Sequence, residues 1–273
     1  MTDGRAHSTT ELARRLRLHA LRMTSAARSS HIGSCLSMAD ILAVLYGSFL
    51  RLRPAEPNWP DRDRLIVSKG HAAAIVYAAL AEAGFFALEK LTSFGVEGGT
   101  LAGHIAHSGN PGVELSTGSL GHGLSVAAGM ALRLKRLQAP ARVLALLSDG
   151  ECDEGSTWEA ALFAPHHGLD NLICIVDYNK IQSFGRVETV LALEPFADKW
   201  RAFGWHVQEL DGHSHDALER AFEIAAAAPV PAVLIAHTVK GKGVSFMEDD
   251  LLWHYRSASP EQLLTATAEV EAR

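Results

Sequence analysis

The sequence has little of what marks secreted, membrane or disulfide-stabilised proteins. Cysteine occurs only at Cys35, Cys152 and Cys174, with no CxxC spacing, which argues against a disulfide framework and a zinc knuckle. No apolar run approaches the length of a membrane span. Residues 1–15 also lack the apolar centre of a secretion signal. We therefore expect a cytoplasmic protein with reduced thiols and no membrane partner.

Charge of neither sign dominates the chain. Lys and Arg number 25 and Asp and Glu 31, so the formal net charge is −6, which argues against a nucleic-acid partner. Aromatic residues make up only 7%, but 48% of the 273 residues are hydrophobic, the ordinary share of a globular protein. We expect one domain over 1–273, with a helical region at about residues 8–60 and a short tail at about residues 257–273.

The second half of the chain alternates between short apolar runs and helical patterns. Such alternation, with continuously apolar strands, predicts an α/β fold with a mainly parallel sheet and helices on both faces. Strands are predicted at 65–67, 142–147, 172–176, 205–210 and 232–236, and helices at 73–83, 156–167, 195–203, 214–228 and 260–272. Ser8 with Glu11, and Ser156 with Glu159, have the spacing of helix-capping pairs.

Polar segments follow two of these predicted strands. Asp149 lies in Ser-Asp-Gly after one strand, and Asn179 lies in Asp-Tyr-Asn after the next. Because ligands bind beyond the carboxyl ends of parallel strands, we expect these two side chains to meet there. Both present oxygen to a hard cation such as Mg²⁺, which usually takes one or two carboxylates together with phosphate oxygens. Gly150 leaves room for a phosphate beside the backbone. The pattern predicts a metal-bridged diphosphate site.

This arrangement resembles the thiamine diphosphate motif, which opens with Gly-Asp-Gly and closes with Asn-Asn about thirty residues later. Ser148 and Tyr178 stand where the motif has Gly and Asn, while Asp149 and Asn179 match it.

Further segments, in the same order along the chain, resemble the N-terminal section of transketolase. They are Ser30-His31-Ile32-Gly33, Ser68-Lys69-Gly70-His71, Gly103-His104, the run 112–121, the run 240–247 and Trp253-His254. The last two are similar to the two-chain form of that enzyme. Tyr255 and Arg256 stand where the family often has Gly and a small loop.

The resemblance implies a role for each matching residue. Asp149, Asn179 and the carbonyl of Ile181 would bind Mg²⁺ or Ca²⁺. Thiamine diphosphate would contact His71, Gly118, Leu120, Gly150 and Asn179, and Glu154 would lie close by, near a subunit interface. His31, His104 and His254 would face the donor sugar.

Histidine suits that assignment chemically. Ketol transfer must remove a proton from the donor C3 hydroxyl and deliver one to the acceptor oxygen. Imidazole can do both near neutral pH and can also bind sugar hydroxyls. Other histidines, among them His213 and His215, are interpreted as structural.

The resemblance also implies that this chain needs a partner. In the family, the glutamate that activates the aminopyrimidine comes from a following pyrimidine-binding domain, and residues 260–273 are too few to form it. A separate C-terminal subunit would supply it, with two copies of each chain.

Two other functions stay open at this stage. The chain could be half of another thiamine diphosphate carboligase or 2-oxo acid decarboxylase, although its set of histidines favours sugar hydroxyls. It could also be a non-catalytic cofactor-binding module. The sequence does not identify the ketose donor or the aldose acceptor, or say whether the substrate is phosphorylated.

Overall fold

A computed structural model describes residues 8–272 of the chain. Within them, five parallel strands form one sheet in the order β1-β2-β3-β5-β4. The strands are β1 Arg64–Val67, β2 Val143–Ser148, β3 Leu172–Tyr178, β4 His206–Asp211 and β5 Ala232–His237. The predicted α/β fold with a parallel sheet is confirmed.

Helices cover both faces of the sheet. They are α1 Thr9–Ala26, α2 Ile32–Ser37, α3 Ala39–Val44, α4 Ala73–Glu82, α5 Gly123–Arg136, α6 Gly155–His166, α7 Val187–Val190, α8 Phe196–Ala202, α9 His215–Ala227 and α10 Pro260–Glu271. A π-helical turn, Leu45–Phe49, follows α3. No helix within residues 8–272 combines the length and the apolar character needed to cross a membrane.

Two apolar cores lie on opposite faces of the sheet, because successive side chains of a strand point to opposite sides. Along β2, Leu144 and Leu146 pack with helices α1 to α4, α9 and α10, while Ala145 and Leu147 pack with α5, α6 and α8. Every residue of β2 and β3 is buried. Their near-continuous apolar sequence is therefore a consequence of burial on both faces.

Most predicted elements are present, with boundaries shifted by one or two residues. The shift that matters for the site is at β3, which continues two residues beyond the predicted end and carries Asp177 into the buried sheet edge. The expected Ser156 cap is wrong, since Glu154 occupies the N-cap of α6 and the Ser156 hydroxyl donates to the Gly121 carbonyl at 2.8 Å. The Ser156 hydroxyl therefore forms a long-range hydrogen bond and does not cap its own helix.

A buried ion cluster joins the N-terminal helices to the loops after β4 and β5. The Asp40 carboxylate accepts two hydrogen bonds from Arg17, at 3.0 and 2.5 Å, and lies 2.7 Å from His213 Nδ1 and 3.1 Å from His215 Nε2. His213 Nε2 accepts the backbone N–H of Val239 at 2.9 Å. These contacts agree with a structural role for both histidines.

Candidate functional site

A cavity of about 290 Å³ opens at the carboxyl ends of β2 and β3. Eight of the predicted site residues line it: His71, Leu120, Asp149, Gly150, Glu154, Asn179, Ile181 and His254. The register pairs Ser148 of β2 with Asp177 of β3, so the segments that follow the two strands leave the sheet side by side. The expectation that Asp149 and Asn179 meet at this edge is therefore met by the fold.

Asp149 is held by backbone groups from both segments. Its Oδ1 accepts the N–H of Gly150 at 2.7 Å, and its Oδ2 accepts the N–H of Lys180 at 2.6 Å. The residue is only 2% exposed. Burial, reinforced by repulsion from Asp177, raises the pKa of the Asp149 carboxyl to about 6. A cation bound at this carboxylate would remove much of that penalty.

Asn179 and Ile181 supply neutral oxygens beside this carboxylate. Asn179 Oδ1 accepts the N–H of Ile181 at 3.1 Å, and the carbonyl of Ile181 accepts Lys240 Nζ at 2.7 Å. Each oxygen keeps a second lone pair, because one accepted hydrogen bond uses only one. Lys180 has a φ of +69°, in the left-handed region that is uncommon for non-glycine residues.

A carboxylate, an amide oxygen and a carbonyl oxygen suit Mg²⁺ or Ca²⁺ when phosphate oxygens and water complete the shell. Among residues 8–272 there is no group of three or more His, Cys, Asp or Glu side chains that could hold a metal by themselves. The donor set therefore fits a cation that is bridged to a bound diphosphate, and these residues are the ones that could hold it.

Four histidine rings cluster beside the cavity; His71 and His254 line it, while His31 and His104 lie behind them and do not. The ring centroid of His31 lies 5.0 Å from that of His71, 6.0 Å from that of His104 and 4.9 Å from that of His254. The four come from separate parts of the chain and meet only in the folded molecule. A cluster of imidazoles beside a cation site can bind several hydroxyls and transfer protons.

Burial keeps three of these rings neutral. It lowers the pKa of His31 to about 4, with contributions from His104 and nearby lysines, and it lowers the pKa of His254 to about 3, with a contribution from Lys240. The pKa of His71 is lowered as well, again mainly by burial. Neutral imidazole has one donor and one acceptor nitrogen, which matches the hydroxyl groups of a sugar.

The backbone around the histidines is tightly constrained. His31 itself has a φ of +75° and donates its backbone N–H to the carbonyl of His254 at 3.0 Å. A Cβ atom at Gly70 would lie 2.2 Å from the Thr117 carbonyl oxygen, and one at Gly118 would lie 2.8 Å from His104 Cδ2. Glycine at these two positions lets the segments that carry His71 and His104 pack closely.

Sequence reasoning missed the buried charges beneath the cavity. Asp177 is fully buried and forms an ion pair with the equally buried Lys69. Asp177 also accepts hydrogen bonds from the hydroxyls of Ser37, at 2.5 Å, and Thr238, and lies 3.4 Å from Asn179 Nδ2. The attraction of Lys69 lowers the pKa of Asp177 against the opposing effect of burial. The signal available in the sequence was Asp177 itself, a charged residue near the end of an otherwise apolar strand.

Lys240 and Tyr255 also contribute to the site, although no sequence motif predicted a role for either residue. Lys240 is 1% exposed, lines the cavity and has a pKa lowered by burial to about 8. The Tyr255 hydroxyl donates to the carbonyl of Ser183 at 2.5 Å, and Arg186 pairs with Asp249 at 2.6 Å. The first contact links the loop after Ile181 to the residues that follow Trp253. The second links the same loop to the residues that precede Trp253.

Comparison with known proteins agrees with this geometry. The family model described as "Transketolase, thiamine diphosphate binding domain" matches residues 8–255. The 6-deoxy-6-sulfo-D-fructose transketolase subunit of a Clostridium strain is 44% identical over 242 residues, covering 88% of each chain. One of the apulose-4-phosphate transketolase subunits of Phocaeicola vulgatus is 41% identical over 248 residues, covering 90% of this chain and 88% of the relative.

Solved transketolases share the fold. The enzyme from Leishmania mexicana superposes with a TM-score of 0.92 at 29% identity, covering 97% of this chain and 41% of the other. Transketolase from Campylobacter jejuni gives a TM-score of 0.92 at 33% identity, covering 96% and 42%. This chain thus spans about two fifths of the length of these enzymes. The chain belongs to the transketolase family, as an N-terminal subunit formed by its thiamine diphosphate-binding domain.

Proposed function

We propose that this chain is the cofactor-binding subunit of a two-chain transketolase that moves a two-carbon ketol unit from a ketose donor to an aldose acceptor. The observation that carries the proposal is the cavity at which Asp149, Asn179 and the Ile181 carbonyl meet the histidine cluster. A diphosphate site alone would need no such cluster, whereas a polyhydroxylated substrate does. The assembly is expected in the cytoplasm, where the three free, buried cysteines would stay reduced.

The residues present fit the cofactor and its cation. Asp149, Asn179 and the Ile181 carbonyl would hold Mg²⁺ or Ca²⁺, while Gly150 and His71 would contact the diphosphate. Gly118, Leu120 and Glu154 would line the remaining cofactor surface. Thiamine diphosphate, when bound, supplies the carbanion and accepts the electron pair of the carbon–carbon bond that breaks.

The chain's own contribution is to orient the sugar and to move protons. His31, His104 and His254 would bind the hydroxyls of the donor, which removes water from the reacting carbons. Because burial lowers the pKa of His31, its ring is neutral at pH 7 and offers an acceptor nitrogen to a donor hydroxyl. His104 lies next to it and can accept the proton of the C3 hydroxyl.

A separate chain would complete the site. The cavity opens to solvent beside Phe184, whose side chain is 84% exposed although it lines the cavity. Leu162 of α6 is 62% exposed, and Phe163 is 38% exposed. An aromatic side chain left in water at the mouth of a polar cavity is typical of an interface. We expect a partner with a pyrimidine-binding domain, and two copies of each chain.

Reconstitution tests this function. The purified chain should transfer no ketol unit between any donor and acceptor, and addition of the cognate C-terminal subunit with thiamine diphosphate and Mg²⁺ should restore transfer. A panel of free, phosphorylated and sulfonated ketoses would identify the donor class. Full activity of the purified chain alone, or failure of every ketose with the assembled pair, would contradict the proposal.

Two surface variants locate the partner. Leu162→Asp places a charge on the exposed apolar surface of α6, and we expect it to weaken assembly at least tenfold. Leu264→Asp is the matched control, because Leu264 is 73% exposed on α10 over the opposite core. Sedimentation of the mixed subunits measures both. Equal effects of the two variants would exclude the α6 surface.

The main alternative is half of a 2-oxo acid decarboxylase. It is not favoured, because the matching relatives are transketolase subunits and the histidine cluster exceeds what a small 2-oxo acid would use. Release of CO₂ from 2-oxo acids by the assembled pair, without ketol transfer, would support the decarboxylase function instead.

A further inference from the structure

Lys240 lies between the predicted cation site and a predicted catalytic histidine. Its Nζ donates to the Ile181 carbonyl at 2.7 Å and lies 2.9 Å from Nδ1 of His254. It reaches this position from the segment that follows β5, with a side chain that is almost entirely buried. Neither cation binding nor sugar binding by the histidines requires an ammonium group against the ring of His254.

The contact determines where the imidazole carries its proton. A lysine ammonium group has three donors and no acceptor, so His254 Nδ1 must accept in this pair. A neutral imidazole has one N–H, which is therefore on Nε2. No protein group within residues 8–272 is hydrogen-bonded to Nε2, and His254 lines the cavity.

We propose that Lys240 is a positioning residue that holds His254 in its Nε2–H form, so that His254 donates a hydrogen bond to a substrate oxygen and does not remove a proton. The inference rests on the proposed transketolase function. The histidines of the cluster then have different roles. Another histidine removes the proton of the C3 hydroxyl, and His254 stabilises negative charge that develops on oxygen.

The surroundings of Lys240 keep its Nζ in place. The N–H of Gly241 donates to the Gly33 carbonyl at 3.0 Å, and the N–H of Val239 donates to His213 Nε2 at 2.9 Å. A Cβ atom at Gly33 would lie 3.1 Å from Lys240 Cγ, so the lysine stem packs directly on this glycine. The segment is anchored on both sides of Lys240, and a preorganised donor can select one tautomer.

The protonation of His254 can be observed directly. The full chain labelled with ¹⁵N-histidine should show, in long-range ¹H–¹⁵N correlation spectra at pH 7, the pattern of an Nε2–H imidazole for His254. The signal is assigned by its loss in His254→Gln. An Nδ1–H pattern, or a mixture of the two neutral forms, would overturn the proposal.

Lys240→Met removes the donor while keeping an unbranched side chain of nearly the same length. We expect this variant to lose the single Nε2–H pattern and, assembled with the partner chain, to lower kcat roughly 10- to 100-fold with a smaller change in KM. Lys240→Arg should recover part of both. Lys242→Met, in the same loop but partly exposed and paired with Glu248, is the matched control and should change neither.

The outcomes separate this inference from the proposed function. If the wild-type pattern is Nε2–H and changes in Lys240→Met, but no ketose reacts, the proposed function fails and the positioning role stands. If ketol transfer is found but Lys240→Met leaves the pattern unchanged, the positioning role fails. Should Lys240→Met not fold, the wild-type spectrum still decides.

Discussion

The substitution Asp149→Asn should lower the affinity for the cofactor without lowering the stability of the cofactor-free chain. The carboxylate lies almost fully buried, and burial with the nearby Asp177 raises its pKa from 3.8 to about 6. At about 1.4 kcal/mol per pKa unit, the ionised group costs roughly 3 kcal/mol in the folded chain at pH 7. The amide removes that cost but leaves one backbone N–H, of Gly150 or Lys180, without its acceptor, at about 1–3 kcal/mol. The cofactor-free variant should therefore be as stable as the wild type, or more stable by up to about 2 kcal/mol.

The advantage of the variant should depend on pH. Because the folded pKa of Asp149 is raised, the carboxylate penalty is complete above about pH 6 and absent below the unfolded value near 3.8. The difference between variant and wild type should therefore shrink as the pH falls from 7 to 4. Urea unfolding of the cofactor-free chain across that range measures it.

The affinity of Asp149→Asn for the cofactor, in contrast, should fall. Removing one partner of a buried charge interaction costs about 3–5 kcal/mol, which corresponds to a loss of at least about 100-fold in affinity. Titration calorimetry of the assembled enzyme with thiamine diphosphate and Mg²⁺ measures this loss. Asp153→Asn is the matched control, since Asp153 lines the same cavity but is no predicted ligand of the cation, and it should change affinity less than about threefold.

Two results would refute the reasoning. Unchanged metal-dependent affinity in Asp149→Asn would remove Asp149 from the cation site. A large loss of cofactor-free stability would show that this carboxylate serves the fold and not a bound cation.

Three further predictions concern other parts of the molecule. His104→Ala should keep near-normal cofactor affinity but lower ketol transfer by on the order of 10² or more; normal turnover of every donor would exclude its role. Asp40→Asn should lower the free energy of unfolding at pH 7 by about 3 kcal/mol, because it breaks a buried ion cluster. Since that cluster lowers the pKa of Asp40, its contribution is lost as the pH falls below the ordinary carboxyl value, and a pH-independent difference would contradict the mechanism. Tyr255→Phe removes the hydrogen bond to Ser183 and should speed cofactor dissociation about 2- to 10-fold. Stopped-flow measurements of cofactor release would test this, and an unchanged rate would count against it.

The sheet and the polar ends of its strands were predictable for one physical reason. Strands buried on both faces must be nearly continuously apolar, so their carboxyl ends lie within two residues of the point where polar residues begin. The carboxyl ends of parallel strands share one edge, and that places Asp149 and Asn179 together without any knowledge of the packing. The histidines were identified by resemblance, and their roles remain predictions.

The buried lysines that balance the buried carboxylates could not be predicted in this way. Nothing local distinguishes Lys69 or Lys240 from a solvated lysine, because the carboxylates that balance them come from distant strands. The Ser156 hydroxyl met the local rule for a cap and still bonded to Gly121.

The sequence by itself determined the fold class and the family, and it predicted the oxygen ligands of a cation, since each depends on local pattern and on the order of short motifs. Only the tertiary structure decided which groups neutralise the buried carboxylates and which nitrogen of His254 faces Lys240. Both depend on distances of a few ångströms between segments far apart in the chain, and electrostatic energies at that range change steeply with position.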